Sequence, residues 1–234
     1  MIGYFAVFDL LGFGAIIRNS SATDRSARVE AWLGLVEDAA SAGKPGNYQL
    51  ISDTVFMAAE DSEEGLRSLM LAAQSLLNNG VKASLPVRGS IVHGEFDWGT
   101  RLTYGQAVID AHRLEQEQDW VGVTCAPDLP LADRLWGYDK LLVYPAPLKS
   151  GPIRLHPVVT WNVPQTQALA EKLSSGGLMN AGDSFRWELG SKLRNTSEFG
   201  AYLRLAKDRA LPADRFRPFF PFRVIEEAVL RKAP

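Results

Sequence analysis

Two aspartates stand where they could act together. Asp9 ends the apolar stretch Gly3-Tyr4-Phe5-Ala6-Val7-Phe8 and is followed by Leu10-Leu11-Gly12-Phe13-Gly14, while Asp53 sits in Ser52-Asp53-Thr54, a polar pinch between two short apolar runs. A glycine-containing loop lets backbone N–H groups come close to phosphate oxygens, because no Cβ obstructs the approach. Two carboxylates brought together repel, and a divalent cation keeps both ionised. A pair of such ions about 4 Å apart can activate an attacking hydroxyl and hold a triphosphate for in-line displacement at phosphorus. The plainer alternative is a loop carboxylate at Asp9 and a turn residue at Asp53, and spacing alone leaves both open. A dinucleotide-binding loop is excluded, because Gly12-Phe13-Gly14 runs on into Ala15-Ile16-Ile17 without a third glycine.

The surrounding pattern says how these residues would be positioned. Residues 3 to 9 are rich in aromatic and β-branched side chains and read as a buried strand, with a loop after it. From residue 24 to residue 40, Val29, Trp32, Leu33 and Val36 recur at helical spacing until Gly43, Pro45 and Gly46 stop the pattern. Residues 48 to 51 and 55 to 58 read as two strands of a hairpin with Asp53 at its tip. If that hairpin pairs alongside the first strand, the two aspartates share one edge of a sheet. Ser62 with Glu63 and Glu64 opens a second helix whose apolar face is Leu66, Leu69, Met70, Ala73, Leu76 and Leu77. A strand at 85 to 95, a helix at 105 to 118 and a strand at 121 to 125 complete the order β-α-β-β-α-β-α-β. The expected fold class is α+β, an antiparallel-rich sheet with helices on one face.

Composition narrows the partners. The 234 residues are 46% hydrophobic and 22% charged, enough to bury one substantial core, and the formal net charge is -2. Neither sign dominates, so there is no general attraction to nucleic acid or to an anionic membrane, and a polyanion site must be local. The one cysteine, Cys125, lies in an apolar run, which rules out an intrachain disulfide and fits a reducing cytoplasm. Residues 1 to 17 are interrupted by Asp9 and lack the basic flank and cleavage site of a signal peptide. After about residue 162 the pattern becomes helical, and across residues 191 to 234 Lys and Arg outnumber Asp and Glu by ten to five. The expected division is therefore a domain at 1–162 and a mainly helical extension at 163–234, with the aromatics of residues 216 to 222 packed on the domain and the arginines solvated. His93, His112 and His156 show no metal-ligand spacing, and Arg88 reads as a partly buried structural arginine.

Four segments in register then carry a resemblance. They are Phe8-Asp9-Leu10-Leu11-Gly12-Phe13, Gln49-Leu50-Ile51-Ser52-Asp53, Arg88-Gly89-Ser90-Ile91, and Gly105-Gln106-Ala107-Val108-Ile109-Asp110-Ala111-His112-Arg113-Leu114. Over roughly residues 3 to 161 this order and spacing resembles the class III nucleotidyl cyclases, which are ferredoxin-like α+β sandwiches. The resemblance implies that Asp9 and Asp53 each bind both of two Mn²⁺ or Mg²⁺ ions, with the Leu10 carbonyl as a backbone ligand. It implies that Leu11, Gly12, Phe13 and Gly14 wrap the β- and γ-phosphates, and that Lys149 is a second phosphate contact. Arg113 matches the arginine that stabilises transition-state charge on substrate held by the partner's aspartates, implying a head-to-tail homodimer with sites at the subunit interface.

The departures point to a particular branch. The positions that read the purine in the family are Gln49 and about Leu102 here, and a leucine cannot hydrogen-bond a base edge. The atypical hairpin and compact chain resemble the bacterial pyrimidine cyclases of the Pycsar antiphage system, whose cyclic UMP or cyclic CMP activates a separate effector protein. Tyr48, Gln49 or Arg101 would reach the smaller base, Gln49 could serve either pyrimidine, and the overall resemblance favours UTP over CTP. The ribose-orienting Asn of the family is replaced by Ile109, with Asp110 and His112 nearby, and a degenerate cyclase fold used only for nucleotide binding is the competing reading. A dinucleotide-forming relative is disfavoured because its Gly-Gly-Asp/Glu-Glu/Asp-Phe hairpin does not occur.

Overall fold

A computed structural model describes residues 1–165, 167–169, 171 and 183–217. The apolar run near the start forms β1 (Ile2–Leu10), an interior strand of a seven-stranded sheet. Successive strand side chains point to opposite faces. Tyr4, Ala6, Phe8 and Leu10 enter one core cluster, whereas Phe5 and Val7 enter another on the other face. Burial on both faces is why this strand shows a continuous apolar run instead of an alternation.

Gly12 turns the chain out of β1 with φ 85, in the left-handed region that glycine enters at little cost. The helix α1 (Phe13–Asn19) follows where the sequence suggested only a loop, since it is too short for its periodicity to show. In α2 (Ala22–Gly43), the N-cap Ser21 accepts a hydrogen bond from Asp24 N. Trp32, Leu35, Val36 and Ala39 form the buried face of α2, while Val29 and Leu33, expected on that face, are exposed. The hairpin β2 (Asn47–Ile51) and β3 (Thr54–Glu60) turns at Ser52-Asp53, with Ser52 in the left-handed region at φ 59. In α3 (Glu63–Lys82), capped by Ser62, the six apolar positions read from the sequence are buried against β1 and β3.

The strand β4 (Val87–Glu95) pairs antiparallel with β1, and α4 (Gln106–Glu117) crosses the sheet above them. The sheet is antiparallel-rich and the class is α+β, as expected. Not all the helices gather on one face, however: Ala107 and Ala111 of α4 pack on Phe5, Val7 and Val92, opposite α2 and α3. The physical reason is that β1 presents large apolar side chains in both directions, and each set requires cover. The strands β5 (Val123–Cys125), β6 (Leu141–Pro145) and β7 (Leu155–Val159) extend the sheet to the order β2-β3-β1-β4-β5-β7-β6, with β5 parallel to β4.

The long helix α5 (Asp183–Asp208) closes this end of the sheet. Its Phe199 is fully buried, edge-on to Trp120 and Tyr144 at ring distances of 5.0 Å each. Thr196 Oγ1 accepts a hydrogen bond of 2.8 Å from Val121 N. Phe216 also packs on Tyr144 and Tyr202. The rest of the aromatic run at 219 to 222, with Arg223, lies outside the described residues. Cys125 is fully buried, and burial pushes its thiol pKa up. Among the described residues no helix is long and apolar enough to cross a membrane.

Candidate active site

Asp9 lies in register between Thr54 of β3 and Arg88 of β4, so three side chains stand in a row on the α4 face of the sheet. Thr54 Oγ1 donates to Asp9 Oδ1 at 3.3 Å, and Arg88 Nη2 lies 3.7 Å from Asp9 Oδ2. Leu10 N donates to Asp53 O at 3.0 Å, which fastens the hairpin tip to the end of β1 and sets Asp53 beside Asp9. Antiparallel pairing of β3 with β1 is therefore the device that unites carboxylates 44 positions apart in the chain.

Arg88 is held from behind. Its guanidinium pairs with the buried Glu115 of α4, Nε donating at 2.6 Å, and Nη1 donates to Gln118 O at 3.0 Å. Burial, first, and then the negative charges of Glu115 and Asp53 raise the Asp9 pKa from 3.8 to about 6, against the lowering influence of Arg88 and the Thr54 hydrogen bond. Burial more than charge therefore disfavours the ionised form of Asp9 in the metal-free protein.

A pocket of about 220 Å³ opens here. Its wall brings together Asp9, Leu10, Leu11, Gly12, Phe13, Gly14, Asp53 and Lys149, and adds Arg88 and Lys192. Lys149 is placed by its backbone, whose N–H donates to Glu117 O at 2.7 Å in the last turn of α4. Sequence reasoning assigned Arg88 a structural part only and passed over Lys192. Arg88 is held by Glu115 and also lines the pocket, a placement that an Arg opposite Asp in neighbouring strands could have signalled. Nothing in the local sequence of Lys192 marks it, because α5 folds back from far along the chain.

The remaining candidates lie elsewhere on the chain. Tyr48 and Gln49 are on the edge strand β2, with Tyr48 48% exposed, and Leu102 is 65% exposed. Arg113 points outward from α4 and pairs with Glu117 at 3.0 Å. It lines a second pocket, of about 440 Å³, with Asp110, Arg154 and His156. Ile109 is 61% exposed on the same helix. His112 leans toward Glu115 at 3.8 Å, His93 pairs with Asp61 at 3.0 Å, and His156 Nδ1 bonds Cys125 O at 2.9 Å.

The donor set suits a hard divalent cation. Among the described residues no group of three or more His, Cys, Asp and Glu converges, so an ion here would rest on two carboxylates and a carbonyl, completed by water and phosphate oxygens. That is the pattern Mg²⁺ and Mn²⁺ adopt with phosphate substrates.

No family profile and no curated protein sequence matches the chain. Solved structures do match in fold. The catalytic core of a rhodopsin-guanylyl cyclase with converted specificity, in complex with ATPalphaS, aligns with a TM-score of 0.53 at 17% identity, over 68% of this chain and 97% of that one. The guanylyl cyclase domain of the RhoGC fusion protein from the aquatic fungus Blastocladiella emersonii aligns at 0.53 and 14% identity, over 68% and 96%. The adenylyl cyclase CyaB from P. aeruginosa aligns at 0.50 and 14%, over 68% and 95%. The α+β fold is that of class III cyclase catalytic domains.

Proposed function

We propose that the chain is a nucleotide cyclase that converts UTP to cyclic UMP and pyrophosphate. The observation that carries this reading is one pocket, on a cyclase fold, in which Asp9 and Asp53 meet the residue 11–14 loop, Arg88 and Lys149. In the reaction the ribose 3′ oxygen attacks the α-phosphorus and loses its proton, and the bond to the pyrophosphate oxygen breaks. Bound at Asp9, Asp53 and the Leu10 carbonyl, two Mn²⁺ or Mg²⁺ ions would lower the pKa of that hydroxyl and offset triphosphate charge. The chain's own residues hold the substrate: Gly12 and Gly14 let the backbone approach the phosphates, and Lys149 pairs with them. Arg88, fixed by Glu115, orients the Asp9 carboxylate.

Arg113 acts on the partner's substrate in a head-to-tail homodimer, a reading supported by its outward direction, with the side chain 76% exposed. Gln49 and Leu102, with Tyr48, favour a pyrimidine; the Gln49 amide both donates and accepts and so serves uracil or cytosine, and overall resemblance to the Pycsar cyclases favours uracil. CTP is the second candidate. By resemblance to the Pycsar cyclases, the product is a cytoplasmic antiphage signal read by a separate effector. Ile109, exposed where the family orients ribose with Asn, favours a second reading, a binding module without turnover.

Incubating the purified protein with each ribonucleoside triphosphate and Mn²⁺, with mass detection of products, separates these readings. Cyclic UMP and pyrophosphate are expected. Binding without any cyclic product selects the module.

A further inference from the structure

We infer that Lys192 is a polyphosphate-binding residue, so that the C-terminal helix α5 completes the phosphate site; this rests on the cyclase reading above. Lys192 lines the same pocket as Asp9, Asp53, Arg88 and Lys149, although it arrives on a helix from the opposite end of the chain. Its side chain is only 9% exposed. A lysine is rarely so enclosed unless its charge is compensated, and here the compensation is specific.

Asp119, directly after the C-cap of α4, pairs with Lys192 Nζ at 3.3 Å. The same aspartate receives Ser191 Oγ at 3.1 Å and Asn195 Nδ2 at 3.3 Å, and its carbonyl accepts from Asn195 Nδ2 at 2.7 Å. Three residues of α5 within a span of five thus grip one aspartate, which fixes the helix in rotation and in register. The neighbouring Glu117 carbonyl anchors Lys149. Residues 117 to 119 therefore set both lysines at the pocket wall.

The charge balance explains why two lysines belong there. A triphosphate entering this pocket meets Asp9 and Asp53, and Arg88 is already engaged with Glu115. An ammonium has three N–H donors, so holding Asp119 does not exclude holding a phosphate oxygen. Its compact charge suits the terminal phosphates, whose geometry changes when pyrophosphate leaves. Removal of α5 contacts would then weaken substrate binding as well as the fold.

The test is calorimetric titration of inorganic tripolyphosphate into the full chain with Mn²⁺ present. Lys192→Met is combined with Asp119→Asn so that the Asp119 carboxylate is not left without its counter-charge, and Lys192→Arg keeps the charge. The double variant should bind tripolyphosphate about tenfold more weakly, with Mn²⁺ affinity in the absence of phosphate unchanged. Lys192→Arg should lie within about threefold of wild type, as a retained charge implies. Unchanged tripolyphosphate affinity in the double variant, or loss of Mn²⁺ affinity along with it, overturns the assignment to Lys192 while leaving the cyclase reading intact. Absence of tripolyphosphate binding by the wild-type protein overturns both.

Discussion

Asp9 and Arg88 face each other across β1 and β4 as register partners, carboxylate and guanidinium 3.7 Å apart, and Arg88 is bound more tightly to Glu115 behind it. The arginine therefore tempers the charge on Asp9 without neutralising it. This hierarchy leaves the aspartate able to take a cation, and it ties the candidate site to α4.

Glu115 is 2% exposed, and removing it strands the Arg88 charge in the interior. Glu115→Ala should cost about 3–5 kcal/mol of stability, as for other buried pairs broken on one side. Denaturant titration measures this; a loss under about 1 kcal/mol would mean that Arg88 re-pairs with Asp9.

The raised pKa of Asp9 makes the metal-free protein pH-sensitive. The folded state holds the proton more tightly than the unfolded one, so this contribution to stability is full below pH 3.8 and is lost as pH rises to about 6. In chelator, Asp9→Asn should remove that decline and raise stability at pH 7 by on the order of 2 kcal/mol. Urea titrations at pH 4, 5, 6 and 7 (settings chosen to bracket the shift) give the comparison. Parallel curves for the two proteins would refute it.

Asp53 sits at a turn, with few packing contacts to lose. Asp53→Ala should leave stability within about 0.5 kcal/mol while cyclic product formation falls below detection. Wild-type turnover in this variant would remove Asp53 from the chemistry.

Shared sites predict complementation. Mixed in equal amounts, Asp9→Asn and Arg113→Ala chains should recover about a quarter of wild-type activity, because half the dimers are mixed and each carries one intact site. Either chain alone should be inactive. A mixture no more active than its parts would place Arg113 outside the reaction.

Phe199 packs edge-on against the stacked rings of Trp120 and Tyr144. Phe199→Ala should destabilise by about 3–5 kcal/mol. A single calorimetric transition at lower temperature is the expected result; two separated transitions would show that α5 and the sheet unfold independently.

Some of this was legible in the residues themselves. The apolar run ending in Asp9, the hairpin around Ser52-Asp53, the capped α3 with its buried stripe and the glycines after β1 are local patterns, and local chemistry determines them. The short helix α1 and the second covered face of the sheet were not, because seven residues show too little periodicity and a strand buried on both sides looks alike from either. Tertiary structure alone decided that Arg88 shares its charge between Glu115 and Asp9, and that Lys192 reaches a pocket built 180 residues earlier from Leu11 and Gly12. Residue type and spacing specify which backbone a segment adopts. Which distant charges then meet is settled by strand register and helix docking, where the free energy comes from burial shared among segments that carry no mark of one another.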